Sequence, residues 1–175
     1  MKLRGFTIIE LIIVIAILLI LAAGAFDGTG GIIRGLRFSN TFNKMVLMVQ
    51  QARSLAVTGK NPDLKSYEVQ FNFTAPGSMV LQGIRQDDTP QEIERFSLDS
   101  QTNLEFTNNL NCDPATIRFL NGKAETELIC IGGTLSSPLL TIGLKETASG
   151  APAGTAPTHQ KSFTIHRAAG IPQIN

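Results

Sequence analysis

The 175-residue sequence has no tryptophan, one tyrosine, two histidines and two cysteines, and only 17% of its residues are charged. Each scarcity excludes something. Two cysteines and two distant histidines leave no second pair to complete a tetrahedral zinc site. With 15 Lys+Arg against 14 Asp+Glu the net charge is +1, so the global positive field of a non-specific nucleic-acid binder is missing. The charged fraction falls well short of the roughly 25% of ordinary soluble domains. Because 43% of the residues are hydrophobic, part of this chain is built for a medium other than water. The length suits one domain with a real core and excludes a large multidomain enzyme.

Charge is scarce but sorted. Residues 28–62 carry Arg34, Arg37, Lys44, Arg53 and Lys60 with no acid, whereas residues 63–146 carry twelve acids against six bases. A basic segment followed by an acidic one can be complementary within the chain, between copies or toward anionic lipid.

The apolar excess sits in residues 6–26, FTIIELIIVIAILLILAAGAF, with one charge, Glu10, and one hydroxyl, Thr7. As a helix rising 1.5 Å per residue this stretch is about 31 Å long, the thickness of a bilayer's hydrocarbon core. Lys2 and Arg4 ahead of it favour a cytoplasmic amino terminus, while Arg34 and Arg37 behind it pull the other way. One processing reading is an ordinary secretory signal with Ala23-Gly24-Ala25 as the cleavage site. That reading leaves Glu10 unexplained, since a carboxyl group at mid-membrane costs about 2–3 kcal/mol and calls for a partner or a function.

A second reading starts from Gly5-Phe6-Thr7-Ile8-Ile9-Glu10, preceded by a short basic leader and followed by the unbroken apolar run. This pattern resembles the class III signal of type IV pilins and type II secretion pseudopilins. The resemblance implies that residues 1–5 are a leader removed by prepilin peptidase after Gly5, that the new amine of Phe6 is methylated, and that Glu10 is the family's glutamate at the fifth mature position. It also implies insertion into membrane lipid, extraction by an inner-membrane assembly platform, and packing with other pilin or pseudopilin subunits. Phe6 and Glu10, four residues apart, share one helical face about 6 Å apart along the axis. A neighbouring subunit shifted along a filament can therefore set its terminal ammonium against Glu10.

Beyond the apolar run, residues 27–31, Asp-Gly-Thr-Gly-Gly, predict a break, each glycine costing about 1 kcal/mol relative to alanine in a helix. Helical periodicity then resumes over residues 32–58. Phe42, Met45, Val46, Val49, Ala52 and Ala56 form one stripe, with Asn40, Asn43, Gln50, Gln51 and Arg53 opposite, and Gly59 and Pro62 act as the stop. From Tyr67 the period becomes two. Strands are expected at residues 67–73, 79–84, 93–98, 104–106, 116–120, 127–131, 139–144 and 162–166, with Asn121-Gly122 as the strongest hairpin signal. The predicted fold is α+β: a long amino-terminal helix, membrane-spanning in its first half and amphipathic in its second, packed on an antiparallel sheet. Residues 32–175 form the globular part, and the low-complexity stretch 147–158, TASGAPAGTAPT, is a flexible loop.

Gln51-Ala52-Arg53-Ser54-Leu55-Ala56, closing a helix before the first strand, resembles the corresponding stretch of GspH/FimT-type minor pseudopilins. The closing Phe163-Thr164-Ile165-His166-Arg167…Gly170 is similar to that family's final hairpin. The chain departs from the family pattern in carrying Ile171-Pro172-Gln173 where basic residues follow the glycine, so nucleic acid is not an expected partner.

Cys112 and Cys130 lie in the segment expected outside the cytoplasm, where disulfides persist. Closing the seventeen residues between them would contribute about 3 kcal/mol. The alternative is two buried free thiols on neighbouring strands. Catalytic constellations are missing. His159 and His166 neighbour no nucleophile in sequence, and Gly59-Lys60 fails as a phosphate loop, with Ser54 in place of its first glycine and Asn61 after the lysine. Gly28-Thr29-Gly30 follows a helix and lacks a third glycine, and Asp87-Asp88 lacks the spaced oxygen ligands of a calcium loop. No enzyme activity, metal or cofactor is expected. The function expected is that of a structural filament subunit, major or minor. The competing readings are a DNA-binding minor pilin used in uptake and a secreted β-rich binding protein.

Overall fold

A computed structural model describes residues 8–59, 61–99, 103–123, 125–130, 133–134, 137–147, 156–168 and 170–174, without the side chains of residues 23–31 and 133–134. The chain divides into two compact units, Met1–Ser39 and Asn40–Asn175.

Helix α1 (Ile8–Thr58) is 51 residues long and continuous. The break expected at residues 27–31 is therefore corrected. No proline occurs before Pro62. Once helix is established on both flanks, each glycine costs only about 1 kcal/mol against a propagating hydrogen-bond ladder. The expected second helix at residues 32–58 is the distal part of α1. Among the described residues no helix is long and apolar enough to cross a membrane. Of the stretch 6–26, the described side chains are those of residues 8–22.

In the second unit α1 buries Phe42, Met45, Val46, Met48, Val49, Ala52 and Ala56. This is the predicted stripe with Met48 added. The helix ends where expected: Gly59 takes φ +57°, a left-handed conformation that side chains disfavour, and donates its N–H to Ala56 O at 3.3 Å.

Ten strands follow, β1 (Leu64–Asn72), β2 (Ser78–Arg85), β3 (Pro90–Ser97), β4 (Leu104–Asn108), β5 (Ala115–Leu120), β6 (Thr126–Cys130), β7 (Gly133–Thr134), β8 (Leu139–Glu146), β9 (His159–His166) and β10 (Pro172–Ile174). All eight predicted strands are present. They build two antiparallel sheets where one was expected, ordered β3-β2-β1-β5-β6-β7 and β10-β9-β8-β4. A row of rings ties the layers together. Phe42 of α1 meets Phe163 of β9 at 6.1 Å, Phe163 meets Phe71 of β1 at 6.5 Å, and Phe71 meets Phe106 of β4 at 6.1 Å. Edge-to-face pairs of this kind add about 0.5–1.5 kcal/mol each to the area they bury. Helix and both sheets therefore share one core.

The central strand β1 is buried on both faces and not on one. Glu68, which alternates with Tyr67 and Val69 and would face solvent in a strand buried on one side only, is 5% exposed. It accepts hydrogen bonds from Arg118 of β5 at 2.6 Å and Gln82 of β2 at 3.1 Å, and Arg118 also donates to Glu127 of β6 at 3.2 Å. These residues face one another in register across four strands. Burial works against the Arg118 charge, but its contacts with Glu68 and then Glu127 raise its pKa above the ordinary value.

Cys112, in the β4–β5 connection, and Cys130, the last residue of β6, are joined in a disulfide. Asn108 holds the loop beside it, its Oδ1 accepting from Leu110 and Cys112 N–H at 3.0 Å and its Nδ2 donating to Cys112 O at 2.9 Å. Next to Cys112, Asp113 accepts from Thr74 Oγ1 at 2.6 Å and from Phe73 N–H at 2.9 Å. Those two hydrogen bonds hold its carboxyl below the usual aspartate pKa of 3.8. A native pKa below the unfolded one means that the contribution is complete above about pH 4 and is lost as pH falls through the native value. Asp113→Asn is thus expected to lower stability by about 1 kcal/mol at pH 7 and to flatten the acid limb of stability below pH 4. Urea midpoints of the detergent-solubilised chain across pH 3–7 test this; an acid limb as steep as the parent's would refute it.

Candidate functional site

Of the chemistry-bearing residues expected at the amino terminus, the structure describes Glu10, which belongs to an exposed apolar rod. Among residues 8–22 every large apolar side chain is open, from 47% at Val14 to 80% at Ile8. No described residue of the first unit covers them. Glu10 is also exposed and is the single charged residue of this run. Gly5 and Phe6, the expected cleavage and methylation positions, lie outside the described residues, as does Lys60. Such a rod is unstable in water as a free surface, since each Leu or Ile left out gives up about 1.5–3 kcal/mol of burial. It needs lipid or another protein surface.

The basic segment is partly used within the chain itself. Lys44 forms an ion pair with Glu94 of β3, which is the within-chain option among those the charge pattern left open. Arg37 is exposed and Arg53 half-buried. Across the second unit the acidic excess is largely compensated in the same way. Asp88 pairs with Lys65, Glu92 with Arg95, and Glu105 with Lys145.

His159 Nδ1 lies 2.7 Å from Glu146 Oε2 at the start of β9, and His166 ends the same strand. The Asp87 carboxylate serves its own turn, accepting from the N–H and hydroxyl of Thr89. Among the described residues no group of three His, Cys, Asp or Glu side chains gathers as metal ligands.

A groove of about 380 Å³, for which no local sequence signal exists, lies beside the carboxyl-terminal end of α1. Gln50, Arg53, Ser54, Val57 and Thr58 form one wall and Ile171 and Pro172 the other. The second wall depends on β10, a three-residue strand that pairs with β9. The helical stop and the β9–β10 turn are each legible locally. Their juxtaposition rests on contacts more than a hundred residues apart.

Residues 1–26 match the family described as Prokaryotic N-terminal methylation motif. The match covers Gly5, Phe6 and Glu10 and supports the likeness to type IV pilin-like proteins, whose members are structural. Beyond that motif, no curated protein and no solved structure matches the chain.

Proposed function

We propose that the chain is a structural subunit, a minor pseudopilin or pilin of the GspH/FimT type, of a type II secretion pseudopilus or type IV pilus. The observation that carries the reading is the methylation-motif match over residues 1–26, with glycine, phenylalanine and glutamate at positions 5, 6 and 10. Prepilin peptidase removes residues 1–5 and the amine of Phe6 is methylated. Residues 6–26 hold the subunit in the inner membrane with its second unit on the far side, until an assembly platform moves it into a filament. The exposed rod of residues 8–22 is then buried against other subunits, and Glu10 faces the terminal ammonium of a neighbour. The disulfide suits an oxidising compartment outside the cytoplasm.

Intact mass and amino-terminal sequencing of the chain, expressed with a prepilin peptidase, test the reading. The expected mature chain begins at Phe6 with a methylated amine, and Gly5→Val leaves the leader uncut. A mature chain starting at Phe26 would establish the secretory alternative instead.

A further inference from the structure

We propose that Asn121-Gly122 is a latent modification site gated by the end of α1: while the pair is docked there it is chemically inert, and when the contact opens Asn121 converts to aspartate or isoaspartate with loss of ammonia. The inference is independent of the filament reading. Asparagine followed by glycine is the pairing most prone to this reaction, because glycine has no side chain to hinder its nitrogen as it turns toward the preceding carboxamide. Here the pair forms the centre of a turn after β5, closed by Lys123 N–H donating to Leu120 O at 3.1 Å, with Gly122 at φ +70°. Gly122 is exposed, so water and hydroxide reach the turn.

The nucleophile is the Gly122 nitrogen. Once its proton has passed to hydroxide, the nitrogen attacks Asn121 Cγ; an N–Cγ bond forms, the Cγ–Nδ2 bond breaks, and Nδ2 takes a proton from water and leaves as ammonia. Water then opens the cyclic imide at either carbonyl, giving aspartate or isoaspartate. In the folded chain both nitrogens are occupied. Gly122 N–H donates at 2.8 Å to Ala56 O, one of the last carbonyls of α1, which have no partner further along the helix. The leaving nitrogen, Asn121 Nδ2, donates to Asn61 O at 3.0 Å and to Leu64 O at 2.8 Å. Asn121 Oδ1 is buried and accepts no hydrogen bond among the described residues, so no donor stabilises the charge it gathers as the nitrogen attacks. All three acceptors lie within residues 56–64. One segment, the end of α1 and its lead into β1, therefore holds every group the reaction needs.

The conversion runs one way. Aspartate at position 121 has no N–H to give, and its carboxylate stands where Asn61 O and Leu64 O already present negative charge, beside the negative end of the α1 dipole. Isoaspartate also lengthens the turn's backbone by one carbon. The docked arrangement is disfavoured after either product, so a single opening of the α1 end is kept as a covalent change.

The test follows the detergent-solubilised full chain at neutral pH, folded and in urea, with conversion at position 121 read by peptide mass and by enzymatic methylation of isoaspartate. Conversion is expected to be about a hundredfold or more slower in the folded chain than in urea. Gly59→Ala places a side chain in the left-handed conformation that ends α1, at φ +57°, where its Cβ would meet Asn121 Oδ1 at an ordinary 3.9 Å. It is expected to speed conversion in the folded chain about tenfold. Asp113→Asn weakens the chain at the other end of β5, away from α1, and is expected to leave the rate within about twofold of the parent's. Folded and urea rates within about tenfold of each other, or a Gly59→Ala rate no higher than that of Asp113→Asn, would overturn the gating. Should Gly59→Ala not fold, amide exchange of the parent decides: protection of the Gly122 N–H as strong as that of its acceptor helix turn supports the gate, and free exchange there overturns it.

Discussion

Glu10→Leu is expected to accumulate in the membrane at least as well as the parent and to enter filaments little or not at all. The carboxylate is a liability during insertion, costing about 2–3 kcal/mol at mid-membrane, so leucine eases that step. In the filament proposed above the same carboxylate would be the counter-charge of a neighbour's methylated ammonium, held where little water remains. Removing one member of such a pair commonly costs about 3–5 kcal/mol, a hundredfold or more in the assembly equilibrium. Glu10→Asp keeps the charge but loses reach, so intermediate incorporation is expected. Sheared filament fractions compared with membrane fractions by immunoblot measure the ratio. Incorporation of Glu10→Leu at the parent's level would remove the pairing from the mechanism and leave Glu10 as a tolerated polar residue.

The paired substitution Cys112→Ser and Cys130→Ser is expected to lower stability by about 3 kcal/mol and the melting temperature by about 6–12 °C. The bridge closes a sequence separation of 18 residues. It joins the β4–β5 loop to the end of β6, where only the two-residue β7 follows. Asn108 and Asp113 hold the loop from the other side and do not depend on the sulfurs. The loss should therefore concentrate at β6 and β7, with amide exchange rising there first and β1 and β2 nearly unchanged. A melting temperature within a degree of the parent's would show that the bridge contributes nothing measurable.

Much of this architecture was legible because periodicity is local. The stripe from Phe42 to Ala56 and the eight strands were readable from spacing alone. Strands β7 and β10 were not, because runs of two or three residues carry no period. The division into two sheets was also hidden, since pairing partners are set by contacts such as Phe71 with Phe106 and not by any one strand's pattern. Glu68 shows the limit of binary reading. Its alternation placed it in water, but Arg118, fifty residues away, and Gln82 of the neighbouring strand fold over it. The glycine break failed for a related reason, because propensity ranks residues one at a time while a helix is cooperative. At the amino terminus the motif was legible from the sequence alone. The α1–β10 groove was not, since its walls are far apart in the chain.

The connection between β8 and β9 offers a practical opening. Its base is locked: Thr158 donates from both N–H and hydroxyl to Glu146 O, His159 pairs with the Glu146 carboxylate, and Thr147 N–H reaches Asn103 O. Because the ends are fixed independently of what lies between, added length costs only loop entropy, about 0.6 kcal/mol for each doubling. An epitope or affinity peptide grafted between residues 150 and 154 is therefore expected to leave the sheet register intact. If the subunit enters a filament as proposed, such a graft would mark where each copy sits along it.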